Sequence, residues 1–145
     1  MIHRATTQDY VAIVGGLERY WGSVEAAPMH HPLLVREFGD LSLVIRDRFG
    51  VSAYLFGLLS PEGPAGYIHV VGVRTDRRRE GLASELYVAF ADRAAGLGAF
   101  ELRAITRPGN TRSRAFHTAL GFEERMAPDY SGPGEDRIVF SKPIG

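Results

Sequence analysis

The chain contains no cysteine. This excludes disulfides, thiolate metal sites and cysteine nucleophiles. Long apolar runs are missing too: the longest, Val51 to Leu59, is broken by Ser52 and Gly57 and falls well short of the ~20 residues needed to span a bilayer. Met1 to Thr7 holds no apolar core of signal-peptide length, so a cytoplasmic setting away from membranes is expected. Nor does one sign of charge dominate, since Lys+Arg and Asp+Glu number 17 each. Proteins that wrap nucleic acid carry a broad basic face, and none is expected here.

What is present suits one globular domain. A chain of 145 residues with 45% hydrophobic and 23% charged residues can bury a single core of ordinary size, so residues 1–145 are read as one domain. The charges are unevenly spread. Between Arg74 and Arg114, nine arginines face Asp76, Glu80, Glu85, Asp92 and Glu101. One local basic segment in a neutral chain suits a small polyphosphate ligand.

Ile2 to Ala5 reads as a short edge strand, and Thr6 or Thr7 as a helix cap with Asp9 in the first turn. Tyr10, Ile13, Val14, Leu17 and Trp21 recur at three- and four-residue spacing, predicting one helix over residues 8–21 that Gly15-Gly16 weakens. Pro28 and Pro32 bracket Met29-His30-His31, and residues 33–38 suggest one or two helical turns. Adjacent histidines point apart on a helix or strand, and nothing nearby completes a ligand set. We therefore expect no metal there, but a loop or short helix lining a substrate pocket.

Leu41–Arg46, Val51–Leu59 and Ala65–Val73 predict an antiparallel meander with turns at Asp47–Gly50 and Pro61–Pro64. A helix over residues 81–95 presents Leu82, Leu86, Ala89 and Phe90 on one face and stops at Gly96 and Gly98. Phe100 to Thr106 is a strand, and Thr111 to Leu120 a helix with Phe116 and Leu120 inward. Two final strands, residues 122–126 and 137–141, flank a polar loop. The expected class is α/β (α+β): a mixed, mostly antiparallel sheet of about six to seven strands with helices on both faces.

The stretch from Val71 to Ser84 stands out. An apolar strand ends, an Arg-rich turn follows, and a helix begins at Gly81 with Ala83 beside it. A helix start leaves N–H groups unpartnered and carries positive potential. Small residues there let a phosphate approach the backbone closely.

Arg78-x-x-Gly81-x-Ala83 is followed by Asn110-x-x-Ser113-x-x-Phe116-His117-x-x-x-Gly121-Phe122. In that order, between a Val-rich strand and an amphipathic helix, these motifs resemble the GNAT family of acetyl-CoA-dependent N-acetyltransferases. The predicted element order matches that fold along the whole chain. The resemblance implies acetyl-CoA as cosubstrate, no metal, and an amine acceptor. It implies that Val71, Gly72 and Val73 offer main-chain groups to the pantetheine arm. The N–H groups of Arg79, Glu80, Gly81, Leu82, Ala83 and Ser84 would hold the pyrophosphate, with Arg78 at the motif's Gln/Arg position. Asn110 would bond the cofactor or fix the loop beside it. Phe116 sits at the cofactor's edge or in the core, and Arg77, Arg112 or Arg114 are candidates for the 3′-phosphate. Glu80 departs from relatives that often carry a basic residue there, unless its side chain turns to solvent or pairs with an arginine.

For catalysis, the resemblance points to two histidines. His117 stands where many relatives place a tyrosine that protonates the leaving thiolate; otherwise it fills space and water does this. His69 lies on the cofactor strand, by alternation on one face with Tyr67, Val71 and Val73. It is either the base or water relay, or a strand histidine bonded in the sheet. Tyr130, Glu135 and Asp136 are placed to orient an ammonium, with Trp21, Tyr20, His30, His31 and Tyr67 as walls; alternatively Glu135 or Asp136 pairs with an arginine. The acceptor is expected to be a small primary amine, or else a protein N-terminus or lysine. A non-catalytic acyl-CoA-binding module is the reading of another class. Dimers are common in this family, and the final strands offer an interface for a homodimer.

Overall fold

Thr6 starts the first helix. Its hydroxyl accepts the Asp9 N–H at 3.1 Å, and Asp9 accepts the Thr6 N–H at 2.8 Å, a reciprocal capping box. Asp9 also receives the Arg46 guanidinium, at 3.0 and 2.6 Å, tying the helix to the sheet. In the computed structural model, which describes residues 1–145, β1 (Ile2–Arg4) is followed by α1 (Thr7–Val14), α2 (Glu18–Trp21) and α3 (Leu33–Arg36). The meander is β2 (Ser42–Asp47), β3 (Gly50–Ser60) and β4 (Ala65–Val73). Then come α4 (Leu82–Gly96), β5 (Glu101–Thr106), α5 (Thr111–Ala119), β6 (Glu123–Ala127) and β7 (Arg137–Pro143). No helix is long and apolar enough to cross a membrane.

One expected helix is two. Gly15 caps α1, and the chain resumes helical bonding only at Glu18. Two adjacent glycines cost the helix more than the shared apolar face restores. Ile13 and Leu17 still reach the same core on either side of the break.

The strands form one seven-stranded sheet in the order β1-β2-β3-β4-β5-β7-β6, parallel only between β4 and β5. On one face α4 packs through Leu82, Leu86, Tyr87, Phe90 and Ala94, with Phe116 and Leu120 at the edge of the same cluster. On the other, Ile13, Leu17, Tyr20, Leu34 and Val35 from α1, α2 and α3 cover Val44, Tyr54, Phe56 and Val70.

Two irregularities in β4 position the site. Its parallel pairing with β5 covers only Ala65, Gly66 and Tyr67, against Glu101, Leu102 and Arg103. Beyond these the two strands part: β4 runs on to Val73, while β5 stays with β7. The second is a bulge. Phe56 pairs with Val70 and Gly57 with Ile68, so His69 is the extra residue. Regular alternation across β4 therefore fails. Val71 and Val73 pack with the α4-side core, whereas Val70 joins the opposite core. The expected single face of Tyr67, His69, Val71 and Val73 is thus corrected, because an inserted residue reverses every side chain after it.

Candidate active site

From Ile68 to Val73 the edge of β4 that faced β5 is left open, and the strand points into an Arg-rich turn. Arg74 anchors that turn. It is only 6% exposed, yet it is fully paired: to Asp47 at 2.5 Å, to Asp76 at 2.6 Å, and to the Val51 carbonyl at 3.4 Å. Arg77 shares Asp47 at 2.7 Å and holds Glu80 through both carboxylate oxygens at 3.0 Å. Arg74, foremost among its partners, holds the Asp47 carboxyl well below the usual carboxylate range. Arg78 reaches across to donate to the Tyr20 carbonyl at 2.7 Å.

With Arg74 and Arg77 spent on Asp47, Asp76 and Glu80, this frame presents backbone. Arg79 and Gly81 adopt left-handed φ values of 66° and 79°. Gly81 is the N-cap of α4 and supplies no side-chain cap, and the first helical bond runs from Glu85 N–H to Gly81 carbonyl. The N–H groups of Leu82, Ala83 and Ser84 thus have no intrahelical partner. Successive N–H groups in a turn leading into a 15-residue helix suit a phosphate chemically.

Asn110 caps α5: its Oδ1 accepts the Ser113 N–H at 3.1 Å, and its Nδ2 donates to Thr106 Oγ1 at 3.0 Å. His117 turns inward. It is 6% exposed, stacked on Phe140 at 4.0 Å and edged by Phe116, Phe122 and Tyr87. Its Nδ1 donates to the Ser113 carbonyl at 2.8 Å, and its Nε2 accepts the Tyr87 hydroxyl at 2.9 Å. Burial pushes its pKa down, against the Ser113 bond. Neither nitrogen is offered to the cleft.

Across β4 lies a second group. His69, exposed at the bulge, donates Nε2–H to the Met29 carbonyl at 2.9 Å, and its Nδ1 makes no hydrogen bond. Next to Met29, His30 is buried, with Nε2 at 2.7 Å from Tyr54 Oη and Nδ1 at 2.8 Å from the Ala26 carbonyl. Trp21 Nε1 donates to the same Tyr54 Oη at 2.8 Å. Tyr67 meets Tyr130 from the β6–β7 loop; burial, and then that neighbour, push the Tyr67 phenol up to about 12. No group of histidines, aspartates or glutamates is arranged to hold a metal ion.

A strand that parts from its parallel neighbour and runs into an N–H-rich turn suits an extended ligand that carries a pyrophosphate. Residues 17–122 match the model of the acetyltransferase (GNAT) family. The chain belongs to the GNAT family. GNAT enzymes use acetyl-CoA, so this is an acetyl-CoA-dependent acetyltransferase. No functionally curated protein matches its sequence significantly. Among solved structures, Naa20 of Chaetomium thermophilum in complex with a bisubstrate analogue superposes with a TM-score of 0.78 at 21% identity, over 99% of this chain and 86% of that one. The ribosomal-protein-S18-alanine N-acetyltransferase of Escherichia coli gives 0.74 at 21%, over 100% and 94%. An aminoglycoside 6'-acetyltransferase type Ii gives 0.77 at 14%, over 100% and 97%. At such identities the likeness speaks to the fold.

Within the GNAT frame, the predicted residues fall into groups. Val71 to Val73 and Arg78 to Ser84 lie together along the end of β4 and the start of α4. Trp21, His30 and His69 cluster across the sheet, and Tyr67 and Tyr130 meet each other. His31 stands apart, its Nδ1 accepting the Leu33 N–H at 3.1 Å. Glu135 pairs with Arg137 at 3.5 Å, and Asp136 accepts the Asp129 N–H at 2.9 Å. Of the candidate 3′-phosphate arginines, Arg77 is committed to Asp47 and Glu80, and Arg114 to Glu124. Arg112 makes no ion pair and is exposed. Gly72 has a reason that its motif did not reveal: a Cβ there would lie 2.5 Å from the Tyr54 ring.

Sequence reasoning missed Tyr54, Tyr87, Arg74 and Asp47. Tyr54 had a signal, a hydroxyl inside an apolar strand, where burial demands a partner. The Arg74–Asp47 pair, 27 residues apart, had none.

Proposed function

We propose that the chain transfers acetyl from acetyl-CoA directly to a primary amine of a small molecule, through a ternary complex. The observation that carries this reading is His69. It is exposed at the bulge of β4, with Nε2 committed to Met29 and Nδ1 free. The acyl donor lies along the open edge of Val71, Gly72 and Val73, as an added strand would. Its pyrophosphate sits on the N–H groups of Arg79 to Ser84. Arg78 braces the turn, and Asn110 and Phe116 fix and line the wall beside it. His69 Nδ1 takes the proton of the acceptor ammonium, directly or through water. The freed amine attacks the thioester carbonyl, the C–N bond forms, and the C–S bond breaks. Because both His117 nitrogens are engaged, water carries the proton that the nitrogen loses on becoming an amide to the departing thiolate, and His117 holds α5 against α4.

Trp21, Tyr67 and Tyr130 wall the acceptor side. Its carboxylates are occupied: Asp129 and Asp136 bind loop N–H groups, and Glu135 faces Arg137. An acceptor with one ammonium and an apolar or aromatic body fits. The Naa20 and ribosomal-protein-alanine enzymes among its structural likenesses support a second reading, a peptide N-terminus, which presents the same chemistry. Thiol release from acetyl-CoA with aromatic monoamines, polyamines and short peptides tests both. Turnover with monoamines is expected; turnover confined to peptides favours the second reading, and none at all favours a binding module.

The exposed edge strand β6 supports a homodimer through the final strands. Sedimentation at micromolar concentration checks this, and a monomer counts against it. Reliance on acetyl-CoA, a metabolite made inside cells, supports a cytoplasmic site of action.

A further inference from the structure

Behind the cofactor strand lies a polar chain that the reaction as described does not use. Tyr54 is fully buried on β3. Its ring stands against Gly72, so closely that a Cβ would approach to 2.5 Å. Its hydroxyl lies between Trp21 Nε1 at 2.8 Å and His30 Nε2 at 2.7 Å. An indole N–H only donates, so Tyr54 Oη accepts there and has one proton left to give. That proton goes to His30 Nε2, which must therefore be unprotonated. His30 Nδ1 faces a carbonyl, Ala26 at 2.8 Å, and carries the ring's hydrogen. The protonation state of every member follows: Trp21 to Tyr54, Tyr54 to His30, His30 to Ala26. Burial of the His30 ring favours the same neutral form.

This chain fastens one end of a short 3-10 turn, Ala27–Met29, whose other contact is with the reaction site. Met29 precedes His30 and accepts Nε2–H from His69 at 2.9 Å. An accepting carbonyl selects the tautomer of the histidine that donates to it, and so leaves the opposite nitrogen basic. The geometry points to Tyr54 and His30 as positioning residues for acetyl transfer: they hold the Met29 carbonyl where it keeps the proton of His69 on Nε2 and its lone pair on Nδ1. The inference rests on the reading of His69 as base or relay. Tyr54 touches β4 through its ring and the acceptor-side turn through its hydroxyl, and these two contacts are separable.

Tyr54→Phe separates them, keeping the ring against Gly72 and removing the hydroxyl. The expected result is a kcat lower by about tenfold, the scale of a small misplacement of a reacting group, with the KM for acetyl-CoA within about twofold of the parent. The second readout is imidazole nitrogen NMR at about pH 8, with the His69 signals assigned by their loss in His69→Gln. The parent should show one tautomer, protonated at Nε2; Tyr54→Phe should show an exchange average. His30→Asn, which keeps a donor near the Ala26 carbonyl and is too short to reach Tyr54 Oη, should behave alike and serves if Tyr54→Phe does not fold. A Tyr54→Phe enzyme with the parent's tautomer, or with the parent's kcat, overturns the inference. Should His69→Ala itself retain full kcat, the reading of His69 as base has failed instead, and the NMR result alone decides the tautomer relay.

Discussion

On the side of α4 the cleft is walled by main chain: the open edge of β4, a left-handed turn at Arg79 and Gly81, and the first N–H groups of a long helix. On the side of α2 and the β6–β7 loop it is walled by side chains, of which Trp21, His30 and His69 are each held by a hydrogen bond to something distant in sequence. The first wall needs only glycine, small residues and a frame of paired charges, and it presents the same chemistry whatever the acceptor. The second depends on which aromatic and imidazole groups stand where. In the reaction proposed above, the first wall takes the cofactor and the second the acceptor.

The largest effect is expected where the two walls touch. Gly72→Ala drives a methyl into the Tyr54 ring from a strand that cannot retreat. Overpacking of this kind costs about 1–3 kcal/mol, so urea unfolding should shift to lower midpoint while both substrates bind more weakly. An unshifted midpoint would mean that the walls are independent even here. Gly81→Ala should act on one wall alone. A non-glycine residue held left-handed costs about 1–2 kcal/mol, and the variant should lose acetyl-CoA affinity by calorimetry while the KM for amine is kept. Tyr130→Phe is its mirror: without the contact to Tyr67, the KM for amine should rise severalfold and acetyl-CoA binding stay as it was.

Much of the first wall was legible in the sequence. The run from Val71 to Ser84 carries its own evidence, because backbone-built sites select small residues at fixed spacing. The strands followed from alternation, and their seven-fold count lay within the expected range. What escaped notice was non-local. The bulge at His69 depends on the register of β3 against β4, which no local pattern reports, and it moved Val71 and Val73 to the opposite face. His117 looked like an acid because its position in the motif is a functional one; only the closeness of Tyr87 and Phe140 shows it packed away. Glu80 looked repulsive because its partner, Arg77, was known only as a neighbour and not by orientation. The division of α1 from α2 was signalled by Gly15-Gly16, but its outcome depended on tertiary contacts.

A smaller effect tests the charge frame. Glu80→Gln releases Arg77 from one of its two acidic partners. Acetyl-CoA should bind up to a few-fold more tightly at low salt, and the gain should fade as ionic strength rises, since the pair is exposed and screened. Equal affinity at all salt concentrations would show the frame to be saturated by Asp47. The slightest effect should come from the buried histidines. His30 and His117 are held neutral, their pKa values lowered chiefly by burial. Below the ordinary histidine pKa of about 6.5 the unfolded chain takes up protons that the folded chain refuses. Stability should therefore rise with pH through this window and be fully present above it. His117→Phe should flatten the rise in Tm between about pH 5 and pH 7; an unchanged slope would place the uptake elsewhere.

The most direct test of acetyl transfer at the His69 wall is the pH dependence of thiol release, with an aromatic monoamine and acetyl-CoA, for the parent and His69→Ala. General-base catalysis contributes about a hundredfold or more. A loss of that size in kcat/KM is expected near neutral pH, narrowing at high pH as the amine sheds its proton unaided. Equal kcat/KM for the two enzymes across the whole range would contradict it.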